Sequence, residues 1–270
     1  MIYEEKLAHL EAILKEYREI AVTFSGGVDS TFLLLFARKV LGDGVVAVTA
    51  NAPNFAPDEI QYAQALCQRE GIRHQMVELG PSILEAFADN PPDRCYICKS
   101  IVFGKLLSQV RHRFPHAVIC DGTNLDDMQD YRPGRKALEE LGIASPLKEA
   151  GLTKSDVRRG LRDLGGDIWN KPAYACLASR IPYGERITVE KLEAIHQAEM
   201  ALRELGFDQV RVRHHGAVAR IEVAPEYRAR FFDLAFMDQV NSIIKEAGFL
   251  YATLDLGGYR MGSLNEEVLK

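Results

Sequence analysis

Apolar positions at Leu7, Leu10, Ile13 and Leu14, separated by charged residues, give residues 3–19 the spacing of an amphipathic helix. The period then changes. Ile20-Ala21-Val22-Thr23-Phe24 is a short β-rich run ending in a glycine turn, and Ser30-Thr31-Phe32-Leu33-Leu34-Leu35-Phe36-Ala37 is too long and apolar for anything but a buried helix. The alternation repeats, predicting strands near 45–50, 73–79 and 117–121 and helices near 57–70, 99–112, 134–141 and 153–164. Strands separated by helices predict a parallel sheet covered on both faces, with ligands at the carboxyl ends of its strands.

The pattern lapses twice, over 80–98 and over 166–187, and long unpatterned loops in compact domains are often functional. From Thr188 a new unit begins: a helix to about Leu205, strands near 208–214 and 217–223, a helix over 225–247 and a strand near 249–255. The short link His214-His215-Gly216-Ala217 makes the first two strands neighbours, so this αββαβ order suits a small α+β domain rather than an extension of the parallel sheet. The expected plan is an α/β domain over 1–165, a linker carrying a cysteine loop over 166–187, and an α+β domain over 188–270.

With 270 residues and 47% hydrophobic content, the chain can bury a sizeable core. A formal net charge of −5 argues against a nucleic-acid partner, because phosphate binding by counterion release needs a basic excess. Residues 1–6 are charged, with no apolar leader, and no uncharged apolar run reaches membrane-spanning length, so the expectation is a cytoplasmic protein without a membrane partner. Its five cysteines are too few for a disulfide framework, and an odd count points to thiol chemistry or metal ligation. Cys67, on a helical pattern, and Cys120, in a strand, read as core.

Ser25-Gly26-Gly27-Val28-Asp29-Ser30 lies where a strand feeds a helix. Glycines there let backbone N–H groups approach an anion, and the helix N-terminus adds positive potential. The Gly-Lys-Ser/Thr ending of a Walker A loop is missing, which favours binding of a released pyrophosphate over γ-phosphate chemistry. Asp29 is then the candidate for holding Mg²⁺, and Ser25 and Ser30 the donors to phosphate; a plain glycine turn capped by Ser30 is the alternative. At these residues the chain resembles the PP-loop ATP pyrophosphatases, whose fold is adenine nucleotide alpha hydrolase-like. These enzymes convert ATP to AMP and pyrophosphate while activating a carbonyl or carboxylate as its adenylate. In such a fold Ala50, at the end of the second strand, would help to cradle adenine with backbone groups. Asp121, opening Asp121-Gly122-Thr123-Asn124, would position magnesium or phosphate.

Cys95-Tyr96-Ile97-Cys98 carries two thiols at the spacing of one metal or cluster edge, and Lys99 is placed to lower their pKa or to reach a phosphate. A third cysteine, Cys176, lies in the other unpatterned stretch. Zinc in a closed site wants four ligands, whereas three thiolates suit a [4Fe-4S] cluster with one iron open; a redox pair and unrelated cysteines are the other readings. Around Cys176, Lys171 and Arg180 are candidates for holding anionic groups and Ser179 for bonding a phosphate.

The stretch Pro172-Ala173-Tyr174-Ala175-Cys176-Leu177-Ala178-Ser179-Arg180-Ile181-Pro182-Tyr183-Gly184, paired with the PP-loop, resembles the LarE family of ATP-dependent sulfur transferases, over essentially the whole chain. The resemblance implies a small-molecule substrate, pyridinium-3,5-biscarboxylic acid mononucleotide, adenylylated and then thiolated in making the nickel-pincer cofactor of lactate racemase. It also implies sulfur delivered through a [4Fe-4S] cluster on Cys95, Cys98 and Cys176, or sacrificed from Cys176 itself. Arg211 and Arg213, on one face of a strand, become candidates for the substrate phosphate. Glu222 and Asp233 become candidate metal ligands beside the alternative of plain surface acids. Residues 229–236 read as core and subunit contact, and a homo-oligomer is implied, with a hexamer the candidate state. A cluster-dependent tRNA-thiolating enzyme and a non-catalytic nucleotide sensor are the rival readings.

Overall fold

The structure is a computed structural model that describes residues 1–129, 134–172 and 175–260. It divides into two compact units, one formed by Met1–Ile83 with Cys95–Tyr174, the other by Leu84–Arg94 with the chain from Ala175 onward.

In the first unit α1 (Tyr3–Tyr17) leads into β1 (Ile20–Thr23), α2 (Val28–Leu41), β2 (Val45–Asn51), α3 (Pro57–Arg69), β3 (Arg73–Glu78), α4 (Arg94–Arg113) and β4 (Val118–Cys120). Three short helices follow, α5 (Gly134–Glu140), α6 (Pro146–Glu149) and α7 (Lys154–Asp163). The four strands are all parallel, in the order β3-β2-β1-β4. Their apolar side chains, Ile20, Val22, Val45 and Ala47 among them, are buried together with Phe32, Leu33, Leu34 and Phe36 of α2 and Leu10 and Leu14 of α1. Because the chain runs from β1 outward to β3 and then returns to β4 on the other side, the order reverses between β1 and β4. A crevice opens at such a point in a parallel sheet, outside the carboxyl ends of the strands. The α7 helix starts at a capping box, with Thr153 Oγ1 accepting from the Asp156 amide and the Asp156 carboxylate accepting from the Thr153 amide. It packs on α2 through Gly160, where a Cβ would meet the Phe32 ring at 2.4 Å.

In the second unit α8 (Val189–Glu204) precedes a three-stranded sheet of β5 (Val210–His215), β6 (Val218–Val223) and β7 (Tyr251–Leu254), with α9 (Leu234–Glu246) before the last strand. The β5–β6 pair is antiparallel and closed by Gly216 at φ 60°, whereas β7 joins β6 in parallel. Phe207 gathers Tyr227, Phe231 and Phe236 around it. Residues 84–94 are bound to the stretch after Cys176: Ile187 N–H donates to Ala88 O (2.7 Å) and Gly184 N–H to Asn90 O (3.1 Å). Asn90 is buried at φ 55°, and its Nδ2 donates to the carbonyls of Ile181 (3.1 Å) and Pro182 (2.6 Å). Its Oδ1 accepts from Arg94, whose guanidinium lies over the Tyr183 ring.

Two local expectations are corrected. The helix expected over 99–112 begins at Arg94, so Cys95 and Cys98 occupy its first turn rather than a loop. The helix expected over 225–247 is split: a 3₁₀ segment (Pro225–Phe232) ends where Asp233 turns extended, at φ −90° and ψ 123°, and α9 starts anew. That split also divides residues 229–236, since Phe231 is buried but Phe232 is 87% and Leu234 74% exposed. No helix among the described residues is long and apolar enough to cross a membrane.

Candidate active site

The loop between β1 and α2 borders the crevice at the strand-order reversal. Gly26 adopts φ 74°, and a Cβ there would meet the Glu59 carbonyl oxygen at 2.6 Å, so conformation and space both demand glycine. Gly27 is the N-cap of α2, offers no side chain to cap it, and accepts the first helical bond from Thr31 N–H (2.9 Å). The N–H groups of Val28, Asp29 and Ser30 therefore open the helix without intrahelical partners and make an anion-seeking terminus. Ser30 Oγ donates to Gly27 O (3.1 Å) and lies 3.1 Å from Ser25 Oγ, which places both predicted phosphate donors side by side. Ala50 lies half-buried at the carboxyl end of β2, whose Val48 carbonyl accepts from Phe24 N–H.

From the other side of the reversal, Gly122 presses against the start of α2: a Cβ there would meet Ser30 N at 2.8 Å. Asp121, expected to face magnesium or phosphate, is instead buried, and its carboxylate accepts from Thr123 and from Ser145 Oγ (2.7 Å). It holds the turn. Asp29 is the carboxylate that reaches the loop's edge. Its Oδ1 accepts from Asn124 Nδ2 (3.2 Å) and its Oδ2 from Lys154 Nζ. Lys154 escaped the sequence reading; Thr153-x-x-Asp156 marks a helix start there, but no local signal shows how far the lysine reaches. Asp29 is a hard oxygen donor beside the anion site, which fits Mg²⁺, an ion often held by one or two carboxylates plus the phosphates themselves.

Cys95 is exposed and Cys98 half-buried in the first turn of α4, three residues apart and so on one helix face. Asn54 Nδ2 points at Cys98 Sγ (3.7 Å). Lys99 is half-buried, its stem packed against Gly134. Lys171, expected to hold an anion, pairs with Glu59 (3.2 Å). All five cysteines are free thiols, and burial pushes Cys67 up to about 12 and Cys120 higher still, leaving both inert. Two accessible thiols at this spacing fit one edge of an iron–sulfur cluster. Among the described residues, no three His, Cys, Asp or Glu side chains are gathered to hold a metal ion.

In the second unit Cys176 is half-buried, just before a 3₁₀ turn (Leu177–Arg180). Its carbonyl accepts from Ser179 N–H (2.9 Å) and from Arg180 Nη1 (3.1 Å). Arg180, expected at an anionic substrate, is only 1% exposed. It forms a bidentate pair with Glu199, Nε to Oε1 and Nη2 to Oε2, both 2.9 Å, and its Nη1 also reaches the Ala175 carbonyl and Ser179 Oγ (3.1 Å). Burial alone would raise the Glu199 carboxyl; the Arg180 charge and hydrogen bonds outweigh it and hold the group below its ordinary range. Glu199 also escaped the sequence reading, because helical periodicity places it with buried positions that normally carry apolar residues.

Arg211 and Arg213 share one face of β5, as alternation predicts, but both are buried. Arg213 donates to Ser179 O (3.0 Å) and to Glu222 (2.7 Å). Arg211 donates to Val210 O and lies against the Tyr259 ring; burial and the nearby Arg180 lower its pKa to about 10. Glu222, a candidate metal ligand, is fully buried between Arg213 and Arg220. Asp233, the other, caps α9 by accepting from Phe236 N–H (2.8 Å).

The asparagine synthase family model matches residues 10–105, the stretch that holds the glycine loop, β2, β3 and the Cys95-x-x-Cys98 turn. An uncharacterized protein of Synechocystis is 42% identical over 99% of either chain. The pyridinium-3,5-bisthiocarboxylic acid mononucleotide synthase of Lactiplantibacillus plantarum is 41% identical over 98% of this chain and 95% of its own. A glutamine-hydrolysing GMP synthase of Aeropyrum pernix is 26% identical over 72% of this chain but only 41% of its own. With a glycine loop at the reversal of a parallel sheet and near full-length identity to a synthase of this kind, the chain belongs to the LarE family of ATP-dependent sulfur transferases, within the PP-loop superfamily.

Proposed function

We propose that this enzyme adenylylates a carboxylate of pyridinium-3,5-biscarboxylic acid mononucleotide and replaces its oxygen with sulfur, serving the nickel-pincer cofactor of lactate racemase. The observation that carries this reading is the Gly26–Gly27 loop at the head of α2, wedged between Glu59 and Gly122, in a chain alike over nearly its whole length to a protein named for the thiolated product. The substrate carboxylate attacks the α-phosphorus, the bond to the bridging oxygen of pyrophosphate breaks, and the α2 N–H groups with Ser25 and Ser30 receive the leaving pyrophosphate. A sulfur nucleophile then attacks the carbonyl carbon of the adenylate, and AMP leaves.

Asp29 is the residue that would hold Mg²⁺, which neutralises phosphate charge when bound. Cys95, Cys98 and Cys176 would hold a [4Fe-4S] cluster, whose open iron supplies a place to carry sulfide. The same Cys176 is the candidate for direct sacrifice of its sulfur. Arg211 and Arg213, buried and with Arg213 paired to Glu222, are the candidates for the nucleotide phosphate, while Arg180 works through the backbone by fixing the carbonyls on either side of Cys176. Lys99 and Ser179 are further substrate or phosphate contacts, and the exposed Phe232 and Leu234 support a homo-oligomer, up to a hexamer, measurable by analytical ultracentrifugation.

Purified protein given ATP, Mg²⁺, the pyridinium mononucleotide and a sulfide source should release AMP and pyrophosphate and form thiocarboxylate. Release of AMP only with tRNA, or no release at all, overturns the reading. Anaerobic iron and sulfide analysis, with the mass of Cys176 after turnover, separates cluster-borne sulfur from a sacrificed thiol.

A further inference from the structure

Asn54 is fully buried, although it lies in the turn between β2 and α3, where an asparagine ordinarily faces water. The turn leaves its side chain little choice of direction. Phe55 N–H donates to Ala52 O (3.0 Å), closing a turn with Pro53 at its second position, and Pro57 then opens α3 behind Ala56. The two prolines fix φ on either side of Asn54. Held in this way, Asn54 Nδ2 donates to Cys98 Sγ at 3.7 Å, across 44 residues of sequence and into the first turn of α4.

A neutral thiol is only a weak acceptor, so a buried amide gains little from donating to one. A sulfur that carries negative charge is a far better partner, because a hydrogen bond to an ionised acceptor is roughly twice as strong as a neutral one. The arrangement therefore suits a Cys98 sulfur bound to a metal as thiolate. A donor placed there holds the ligand in its orientation and draws electron density from the sulfur, which favours the form of the centre that holds one more electron. Cys95 is exposed, so the buried donor makes the two sulfurs of the pair unequal.

We propose that Asn54 is a positioning residue for the iron–sulfur centre: its amide N–H orients the Cys98 sulfur toward iron and stabilises the reduced form of the centre. This assignment rests on the reading of Cys95, Cys98 and Cys176 as cluster ligands.

The test is an anaerobic redox titration of the reconstituted full-length protein, with iron and sulfide counted on the same samples. Asn54→Leu keeps the volume and removes the donor. Its equilibrium constant for cluster reduction, followed by electron paramagnetic resonance, should fall about 10-fold from wild type, a shift of about 59 mV to lower potential for one electron. Asn54→Asp puts an acceptor where the donor was and should shift further the same way. Asn54→Gln keeps the amide on a longer stem and should lie closer to wild type. A side chain that only supports the turn would leave every iron-retaining variant at the wild-type potential, and that result overturns the proposal. Where Asn54→Leu loses its iron, the apoprotein decides: a lowered thermal midpoint makes Asn54 a residue of the fold and overturns the proposal, whereas an unchanged midpoint shows that cluster positioning alone was lost and upholds it. If reconstituted wild type holds no iron, the cluster reading itself falls, and the role of Asn54 with it.

Discussion

Arg180 and Glu199 meet through two parallel hydrogen bonds of 2.9 Å, each side chain 1% exposed, and the third arm of the guanidinium holds the carbonyls of Ala175 and Cys176. The pair therefore links α8 to the backbone of Cys176. Replacing Glu199 with Gln leaves a buried guanidinium without its countercharge and should cost about 3–5 kcal/mol in urea unfolding. A loss below about 1 kcal/mol would show the pair to be a bystander.

The same pair sets an acid limit. Because the folded Glu199 carboxyl titrates below its unfolded value of about 4.3, its contribution is fully present above that pH and is lost as pH falls through the lower folded value. Thermal midpoints should drop more steeply below pH 4.3 in wild type than in Glu199→Gln. Parallel curves would count against the assignment.

Gly26→Ala forces a Cβ onto a carbonyl oxygen at 2.6 Å and onto a positive φ, while Gly122→Ala drives one toward Ser30 N. Either change displaces the N–H groups that face phosphate, and AMP formation should fall by about 100-fold or more. Gly42, also at positive φ but with nothing near it, is the control: Gly42→Ala should leave ATP turnover intact.

Thiol reactivity should follow environment. Iodoacetamide at mildly alkaline pH should label exposed Cys95 first, with Cys67 and Cys120 unlabelled until the protein unfolds, as peptide mass mapping will report. Early labelling of Cys120 would mean that the β4 edge opens in the native protein.

Asn90 ties the segment before Cys95 to the segment after Cys176 through two side-chain bonds, and a third, from Arg94, fixes it within its own segment. Asn90→Gly keeps the positive φ but deletes those bonds, leaving the Ile181 and Pro182 carbonyls and Arg94 poorly satisfied. The expected cost is about 2–4 kcal/mol by chemical denaturation; a cost near zero would mean that the backbone bonds suffice.

Periodicity alone made the alternating strands and helices of the first unit legible, because a buried parallel strand and a buried helix leave different apolar spacings in the chain. The glycine loop was legible for the same local reason: only glycine takes φ 74° against a carbonyl, so its identity is written at its own position. Tertiary structure alone decided which partner each charged side chain takes. Arg180, Asp121, Glu222 and Asp233 resemble site residues in the sequence, yet they are spent on Glu199, on Thr123 and Ser145, on Arg213 and Arg220, and on a helix cap. Lys154, 125 residues beyond Asp29, carries no local mark of its reach. Backbone conformation is a property of neighbouring residues, but the partner of a charge is chosen by packing among elements remote in sequence.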